Sequence, residues 1–363
     1  YFISRTISLL KKFGICSLIV PNNLLYQYEY FKTRKFLTEE NFLKVIINFG
    51  DGVFSDADVP TCLFVAQKIK NYNYQINYKD IRNETQKQNF LINSFEKISS
   101  NTILNLPANI IGINDIVYTI IKKVEIKSLK IDEIAEEVAS GISTGGDDIF
   151  RIKSLFAKDN FFEKELLHKV LVGSEINRFS IEDTNHFIIY SVKSSNTENK
   201  ENIFNYLKPF KEKLSNKRET RKGMLPWYCL HWPRFEKLFT ENKIILRQTS
   251  DNIKATVDFD GYFVLNSIII IKLKNIENFN YKFIISILNS KLNNYIYKNF
   301  SQEEGRTFAE VKPNNVRKLF VPNIPLFPSP ETPNAFSQQP FIALADVMLE
   351  KNKELQEIKN KFL

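Results

Sequence analysis

The sequence predicts an α/β segment that closes a sheet, a longer α+β body after it, and a single helix at the end. Three observations carry this. Short continuous apolar runs alternate with helical periodicity over the first 70 residues, and from about Ile126 the strand-like runs multiply and irregular stretches lengthen between them. After a proline-dense stretch at 322–340, a three–four spaced stripe of Phe341, Leu344, Met348, Leu355, Ile358 and Phe362 runs to the end of the chain.

A first helix is expected to about Lys12, with Phe2, Ile3, Ile7 and Leu10 on one face and Gly14 as the residue that ends it. The run ICSLIV at 15–20, closed by Pro21-Asn22-Asn23, has the pattern of a buried strand. A second helix at about 27–37 leads to a strand at 45–49, and another strand at 61–65 follows a turn-rich link of eleven residues, 50–60. A parallel connection needs a crossover of a dozen or more residues, so these two strands should pair antiparallel. Beyond them the pattern weakens, with an edge strand at 69–76 and a helix at 114–123. We therefore divide the chain into 1–75, a connector at 76–125, a second body at 126–330 and a terminal segment at 331–363.

In the second body, Leu129, Ile131, Ile134, Ala135 and Val138 suggest a helix that stops at Gly141. The glycine-rich loop GISTGGDD at 141–148 and a short strand at 149–152 follow. Further strands are expected at 187–192, 244–246, 255–259, 262–265 and 267–273, and helices at 201–214 and 283–299. The terminal stripe fits a helix folded back on its own domain or one that pairs with a partner chain.

Charge is concentrated. Between Lys208 and Arg247 stand eleven basic residues (Lys208, Lys211, Lys213, Lys217, Arg218, Arg221, Lys222, Arg234, Lys237, Lys243 and Arg247) against four acidic ones, a surplus that supplies most of the net charge of +9. Trp227, Tyr228, His231, Trp232 and Phe235 are interleaved with them and include both tryptophans of the chain. Cations neutralise phosphates and release counterions, and flat rings stack on unpaired bases, so the mixture suits a nucleic-acid surface; it equally suits a solvated basic helix beside an aromatic core segment.

Several chemistries lack their signatures. The longest strictly aliphatic run, 268–271, is far short of the roughly 20 apolar residues a bilayer requires, and a cytoplasmic location is expected. Cys16, Cys62 and Cys229 are odd in number and widely spaced, which suits buried thiols rather than disulfides or a zinc site. There is no G-x-S-x-G elbow and no Walker A loop, and the three histidines lack metal-ligand spacing. The loop at 141–148 is the best glycine cluster, able to offer backbone N–H groups and the Ser143 and Thr144 hydroxyls to a phosphate, or simply to end a helix. Asp115 followed by Glu125-Ile126-Lys127 has a spacing found in metal-dependent nucleases, and keeps that activity as an alternative.

A series of segments resembles a known family. SLLKKFGICSLIVPN at 8–22, KTRKFL at 32–37 and FGDGVFSDADVPT at 49–61 resemble the last third of the catalytic domain of gamma-class adenine-N6 DNA methyltransferases. GISTGGDDIF at 141–150, LVGSEINRF at 171–179, RETRKGMLPWY at 218–228, LHWPR at 230–234 and ILNSKL at 287–292 resemble the TaqI-type carboxy-terminal specificity domain, found in type II modification methylases and fused restriction–modification enzymes. The resemblance spans nearly the whole chain.

It implies a remnant of a Rossmann-like methyltransferase sheet followed by an α+β target-recognition domain that grips duplex DNA. In the intact enzyme S-adenosylmethionine would donate a methyl group to an adenine extruded from the duplex. The family's adenine-site motif is Asn or Asp, Pro-Pro and an aromatic; this chain has no Pro-Pro dipeptide and no glycine motif of the cofactor kind, and it opens at Tyr1 rather than Met. We therefore expect a fragment that binds no cofactor and is inactive alone, with a glycine-rich loop and an Asn-Pro-Pro-Tyr-like motif encoded upstream. That missing amino-terminal part would be a partner, and a fused nuclease is possible in the parent. By motif position the resemblance implies DNA contacts at Ser143, Thr144, Arg178, Arg218, Arg221, Lys222, Trp227, Tyr228, His231, Arg234, Asn289 and Ser290, with no catalytic residue and no metal ligand.

Overall fold

The computed structural model describes residues 1–56, 59–82, 94–183, 185–274, 278–301, 309–328 and 336–362. Ala57 of the 49–61 motif and the 329–335 part of the proline-dense stretch lie outside them. The chain forms two compact units: Tyr1–Ile126 with Lys298–Gln302, and Lys127–Tyr297 with the remainder.

The first unit is built on one sheet. Its strands are β1 (Ile15–Pro21), β2 (Phe42–Gly50), β3 (Thr61–Gln67), β4 (Gln75–Asp80) and β5 (Glu96–Ser99), in the order β1-β3-β2-β4-β5. β2 and β3 pair antiparallel, with Val45 opposite Val65 and Ile47 opposite Leu63, as the short link between them requires. β2 and β4 are parallel. Leu43, Ile46, Phe64, Ala66 and Ile76 are fully buried. Residues 76–125, expected as a connector, complete β4, add β5 and continue into the helix Asp115–Glu125.

Three local expectations are corrected here. The run at 15–20 is not a fully buried strand: β1 lies at the end of the strand order, and Ile15 and Ile19 are exposed. The helix at 27–37 is broken into a 3-10 turn at Tyr28–Tyr30, a short α-helix at Phe31–Lys35 and a π turn at Phe36–Glu40. Arg34, in the KTRKFL segment, is fully buried there, and its guanidinium donates to the carbonyls of Leu24 (2.8 Å), Gln27 (2.8 Å) and Ala108 (2.7 and 3.0 Å). Carbonyls with no partner in regular structure are thus satisfied by one side chain, and burial lowers the Arg34 pKa to about 10. The strand expected at 69–76 begins only at Gln75, after a left-handed turn at Asn73 (φ 51°).

The second unit contains β6 (Ser128–Lys130), β7 (Ala135–Ser140), β8 (Arg151–Lys153), β9 (Leu167–Leu171), β10 (Ile176–Asn177), β11 (Ser180–Ile181), β12 (His186–Ile189), β13 (Lys243–Arg247), β14 (Ala255–Asp258), β15 (Phe263–Val264), β16 (Ile268–Leu273) and β17 (Phe320–Pro322). Two four-stranded sheets, β15-β9-β12-β8 and β14-β13-β16-β7, are accompanied by the two-stranded ribbons β10-β11 and β17-β6. There are two cores, and β13 and β16 contribute to both: one gathers Phe150, Leu171, Ile188 and Phe263 with Ile245 and Ile270, the other Ile244, Leu246, Ile271 and Phe283.

The helix expected from Leu129 to Val138 reduces to one turn, Ile131–Ile134, followed by β7. Val138 and Ala135 lie opposite Ile271 and Leu273 on β16, so an apolar run too short to separate the two periodicities is extended by its partner strand. The strand expected at 149–152 begins at Arg151, after a helical turn at Asp147–Phe150. The helix at 201–214 is interrupted at Pro209, giving Glu201–Leu207, a 3-10 turn and Lys211–Ser215.

The terminal helix, Gln339–Phe362, folds back on its own unit. Ala345 is fully buried, the Phe341 ring meets Phe283 at 5.5 Å, and Gln356 Nε2 donates to Ser180 Oγ (2.6 Å) and the Ile181 carbonyl (2.9 Å). The packed face is Phe341, Ala345 and Leu349, so most of the stripe seen in the sequence, Leu344, Met348, Leu355 and Ile358, is exposed.

Candidate nucleic-acid interface

The glycine loop is held by close backbone approach. A Cβ at Gly141 would lie 2.3 Å from the Val264 carbonyl oxygen, so no side chain fits where the loop crosses β15. Gly141 N–H donates to the Ile268 carbonyl (2.9 Å) and Ile142 N–H to that of Val264 (2.8 Å). Next, Ser143 and Trp232 exchange two backbone hydrogen bonds (3.1 and 2.8 Å), and His231 N–H donates to the Thr144 carbonyl (3.1 Å). Segments almost ninety residues apart in sequence, GIST and LHWPR, therefore form one short ladder.

Side chains continue the junction. His231 Nδ1 lies 3.3 Å from Ser143 Oγ, and its Nε2 lies 2.5 Å from a Glu219 carboxylate oxygen. Burial opposes ionisation of Glu219, but its own backbone N–H and His231 hold its carboxyl below the usual range. The short basic helix Arg218–Arg221 is thus tied to the glycine loop through one imidazole. Lys217, immediately before that helix, is buried and donates to the carbonyls of Trp227 (2.9 Å) and Cys229. Burial lowers its pKa to about 8 and raises that of the neighbouring Cys229 thiol to about 11.

The predicted contact residues separate into groups. Arg218, Arg221 and Lys222 are exposed, and Arg218 lines a cavity of about 270 Å³ with Lys217, Glu219, His231 and Trp232. Arg234 adopts a left-handed backbone (φ 62°) that holds its guanidinium 5.7 Å from the centre of the Trp232 ring. Arg218 and the Trp232–Arg234 pair thus lie beside the half-buried Ser143 and His231.

Others serve the fold. Thr144 is fully buried; its hydroxyl accepts from Gly146 N–H (3.0 Å) and bonds Asp147, leaving nothing to offer a phosphate. Trp227 and Tyr228 are half-buried against Phe204, at 5.6 and 5.7 Å, and Tyr228 Oη donates to Glu198 (2.5 Å). Asn289 is buried and exchanges both its amide groups with the backbone of Ala255, at 2.9 and 3.0 Å. Ser290 Oγ accepts from Asn293 N–H (3.1 Å) at the start of the next helix, Lys291–Ser301. Arg178 is exposed, but on the separate turn between β10 and β11.

Two exposed rings are absent from the predicted set. Trp232 is 54% exposed and Phe235 85% exposed. Their sequence signal was the run HWPRF, in which Trp232 and Phe235 flank a proline and an arginine.

The nuclease alternative loses its geometry. Asp115 accepts from Thr102 Oγ1 (2.6 Å) and Glu125 pairs with Lys122 (2.8 Å), at opposite ends of one helix. A rise of 1.5 Å per residue puts them about 15 Å apart, too far to share a metal ion. Among the described residues no group of three or more His, Cys, Asp or Glu side chains is placed to hold a metal, and no helix is long and apolar enough to cross a membrane.

Residues 1–137 match the N-6 DNA Methylase family and residues 168–321 the TaqI-like C-terminal specificity domain. The chain is 25% identical over 334 residues to the type II restriction enzyme and methyltransferase RM.Eco57I of Escherichia coli, an alignment covering 80% of this chain and 33% of that protein. The chain thus spans about a third of the length of this relative. Among solved structures, the Type ISP restriction–modification enzyme LlaGI, in complex with a DNA substrate mimic, shares the fold with a TM-score of 0.54 at 11% identity, covering 96% of this chain and 36% of that one. The Type IIL restriction–modification enzyme MmeI, in complex with DNA, has a TM-score of 0.52 at 12% identity, covering 82% and 37%.

Proposed function

We propose, from a chain that joins an N-6 DNA methylase segment to a TaqI-like specificity domain of the restriction–modification kind, that its role is to recognise and hold a duplex DNA site for adenine-N6 methylation. The observation that carries this reading is the set of exposed Arg218, Arg221 and Lys222 with half-buried Arg234, four cations within the specificity-domain match, in the region where Ser143 meets His231. The exposed cations would hold phosphates and fix register. The first unit is the closing portion of a Rossmann-like methyltransferase sheet, and the site of action is the cytoplasm.

S-adenosylmethionine is the methyl donor the family implies for the whole enzyme. In the first unit Asn22 Nδ2 donates to Asn48 Oδ1 (3.1 Å) and the Arg34 guanidinium goes to backbone carbonyls, while Thr38 Oγ1, Asn48 Nδ2 and Thr61 Oγ1 are buried without a hydrogen-bond partner. Neither a cofactor glycine motif nor a Pro-Pro dipeptide occurs in these 363 residues. No step of methyl transfer is assigned to them.

Binding of the chain to duplexes of mixed sequence across a salt series tests the reading. A phosphate-gripping surface predicts affinity falling steeply with salt. No binding at low salt, or an affinity indifferent to salt, refutes it.

A further inference from the structure

Beside the cation cluster, the 190–194 and 225–236 segments enclose a half-open cavity of about 430 Å³ that the reading above does not use. Small-ligand pockets run from about 300 to 1,000 Å³. Its walls are mainly apolar, with Tyr190, Leu225, Pro233 and Phe235 among them, and Lys193, Ser194, Arg234 and Glu236 supply polar and charged groups. Two features of this wall call for a ligand. Phe235 is 85% exposed on a loop whose backbone is fixed, since Tyr190 Oη donates to the Arg234 carbonyl (3.0 Å) and Trp232 is locked to Ser143. The Nε of Arg234, a residue that lines the cavity, is buried with no hydrogen-bond partner, a donor without an acceptor in the protein. Burial pushes the Tyr190 hydroxyl up to about 12, so that wall stays neutral and keeps donating.

We propose that this cavity receives a nucleobase displaced from the duplex, stacked on Phe235 and accepting a hydrogen bond from Arg234. The inference rests on the DNA-binding reading. Apolar walls and a lone ring suit the face of a flat heterocycle, the guanidinium suits its carbonyl oxygens, and the surrounding positive charge brings the polyanion that carries it. Extruding an adenine leaves its partner unpaired, so a duplex engaged for N6 methylation contains such a base. The cavity commits to a base still in a strand, not to a free nucleotide of the same chemistry.

The test compares a fully paired duplex with the same duplex carrying one bulged thymine, for the unaltered chain, Phe235→Ala and Leu225→Trp, with thymidine monophosphate as competitor. Phe235 is exposed, so its removal leaves the fold intact, while Leu225→Trp fills the cavity from a half-buried position. The expected result is about tenfold tighter binding of the bulged duplex, a preference that both variants abolish without altering the salt dependence. Equal affinity for the two duplexes, retention of the preference in Phe235→Ala, or displacement of the bulged duplex by low concentrations of the free nucleotide overturns the proposal and leaves the DNA-binding reading standing. Failure to bind either duplex at low salt overturns that reading itself.

Discussion

Lys217 and Arg218 are neighbours in sequence, carry the same charge and belong to the same basic stretch, yet they do opposite things. Lys217 is buried and braces the backbone of Trp227 and Cys229 from within, whereas Arg218 is exposed on the rim of a cavity. Lys243, also counted in the basic surplus, is buried completely and pairs with Asp258 at 2.6 Å. Asp258 in turn accepts from the N–H groups of Asp260, Gly261 and Tyr262, closing the turn after β14. Charge density along a sequence therefore overstates the charge a ligand meets. Part of it is internal framework, and the remainder is surface.

The contrast can be broken most forcefully at Lys243. Lys243→Met leaves the Asp258 carboxylate uncompensated in a site sealed from water, and should cost about 3–5 kcal/mol in urea denaturation. A loss below about 1 kcal/mol would mean that the pair is hydrated and that the framework class is smaller than drawn.

Lys217→Met should cost about 1.5–3 kcal/mol, because two buried carbonyls lose a charged donor. Its pH dependence sharpens the same point. Burial lowers the folded-state pKa to about 8, below the unfolded lysine value, so between these two pH values the unfolded chain binds more protons than the folded one. Stability attributable to Lys217 must then rise as pH increases from about 8 toward the ordinary lysine range. Melting curves of the unaltered chain and Lys217→Met at pH 7.5, 9 and 10 should show this rise in the first only; parallel curves would place the ammonium in water.

The smallest effects on stability belong to the surface group. Alanine at Arg218, Arg221 or Lys222 should change the unfolding free energy by less than about 0.5 kcal/mol. Each should weaken binding about uniformly across DNA sequences and reduce the salt slope by about one. A large stability loss from Arg218→Ala would move that residue into the framework and shrink the proposed surface.

Legibility followed the range of the interactions. The antiparallel pairing of β2 with β3 could be read because eleven residues of turn-rich chain leave few alternatives, and strand β16 because Ile268–Ile271 is a continuous β-branched run. β7 could not, since its extension comes from β16, more than a hundred residues later. At the site, Arg218, Arg221, Lys222 and Arg234 were named by motif position and also belong to the basic stretch. Thr144, Asn289 and Ser290 were named by motif position, but their polar groups are engaged by loop, strand and helix-start bonds that no local pattern announces. Trp232 and Phe235 went unselected because rings in a sequence look alike until a core has been formed and some are left outside it.

The sequence by itself determined the ordered series of segments that resemble adenine-N6 methyltransferases and the TaqI-type specificity domain, and the concentration of positive charge. These are matters of residue identity and spacing along the chain. Which cations brace the interior and which face solvent was decided only by the tertiary structure. So was the joining of GIST to LHWPR through Ser143, His231 and Glu219. The physical reason is common to both: burial and long-range hydrogen bonding depend on surfaces that exist only once distant strands have packed.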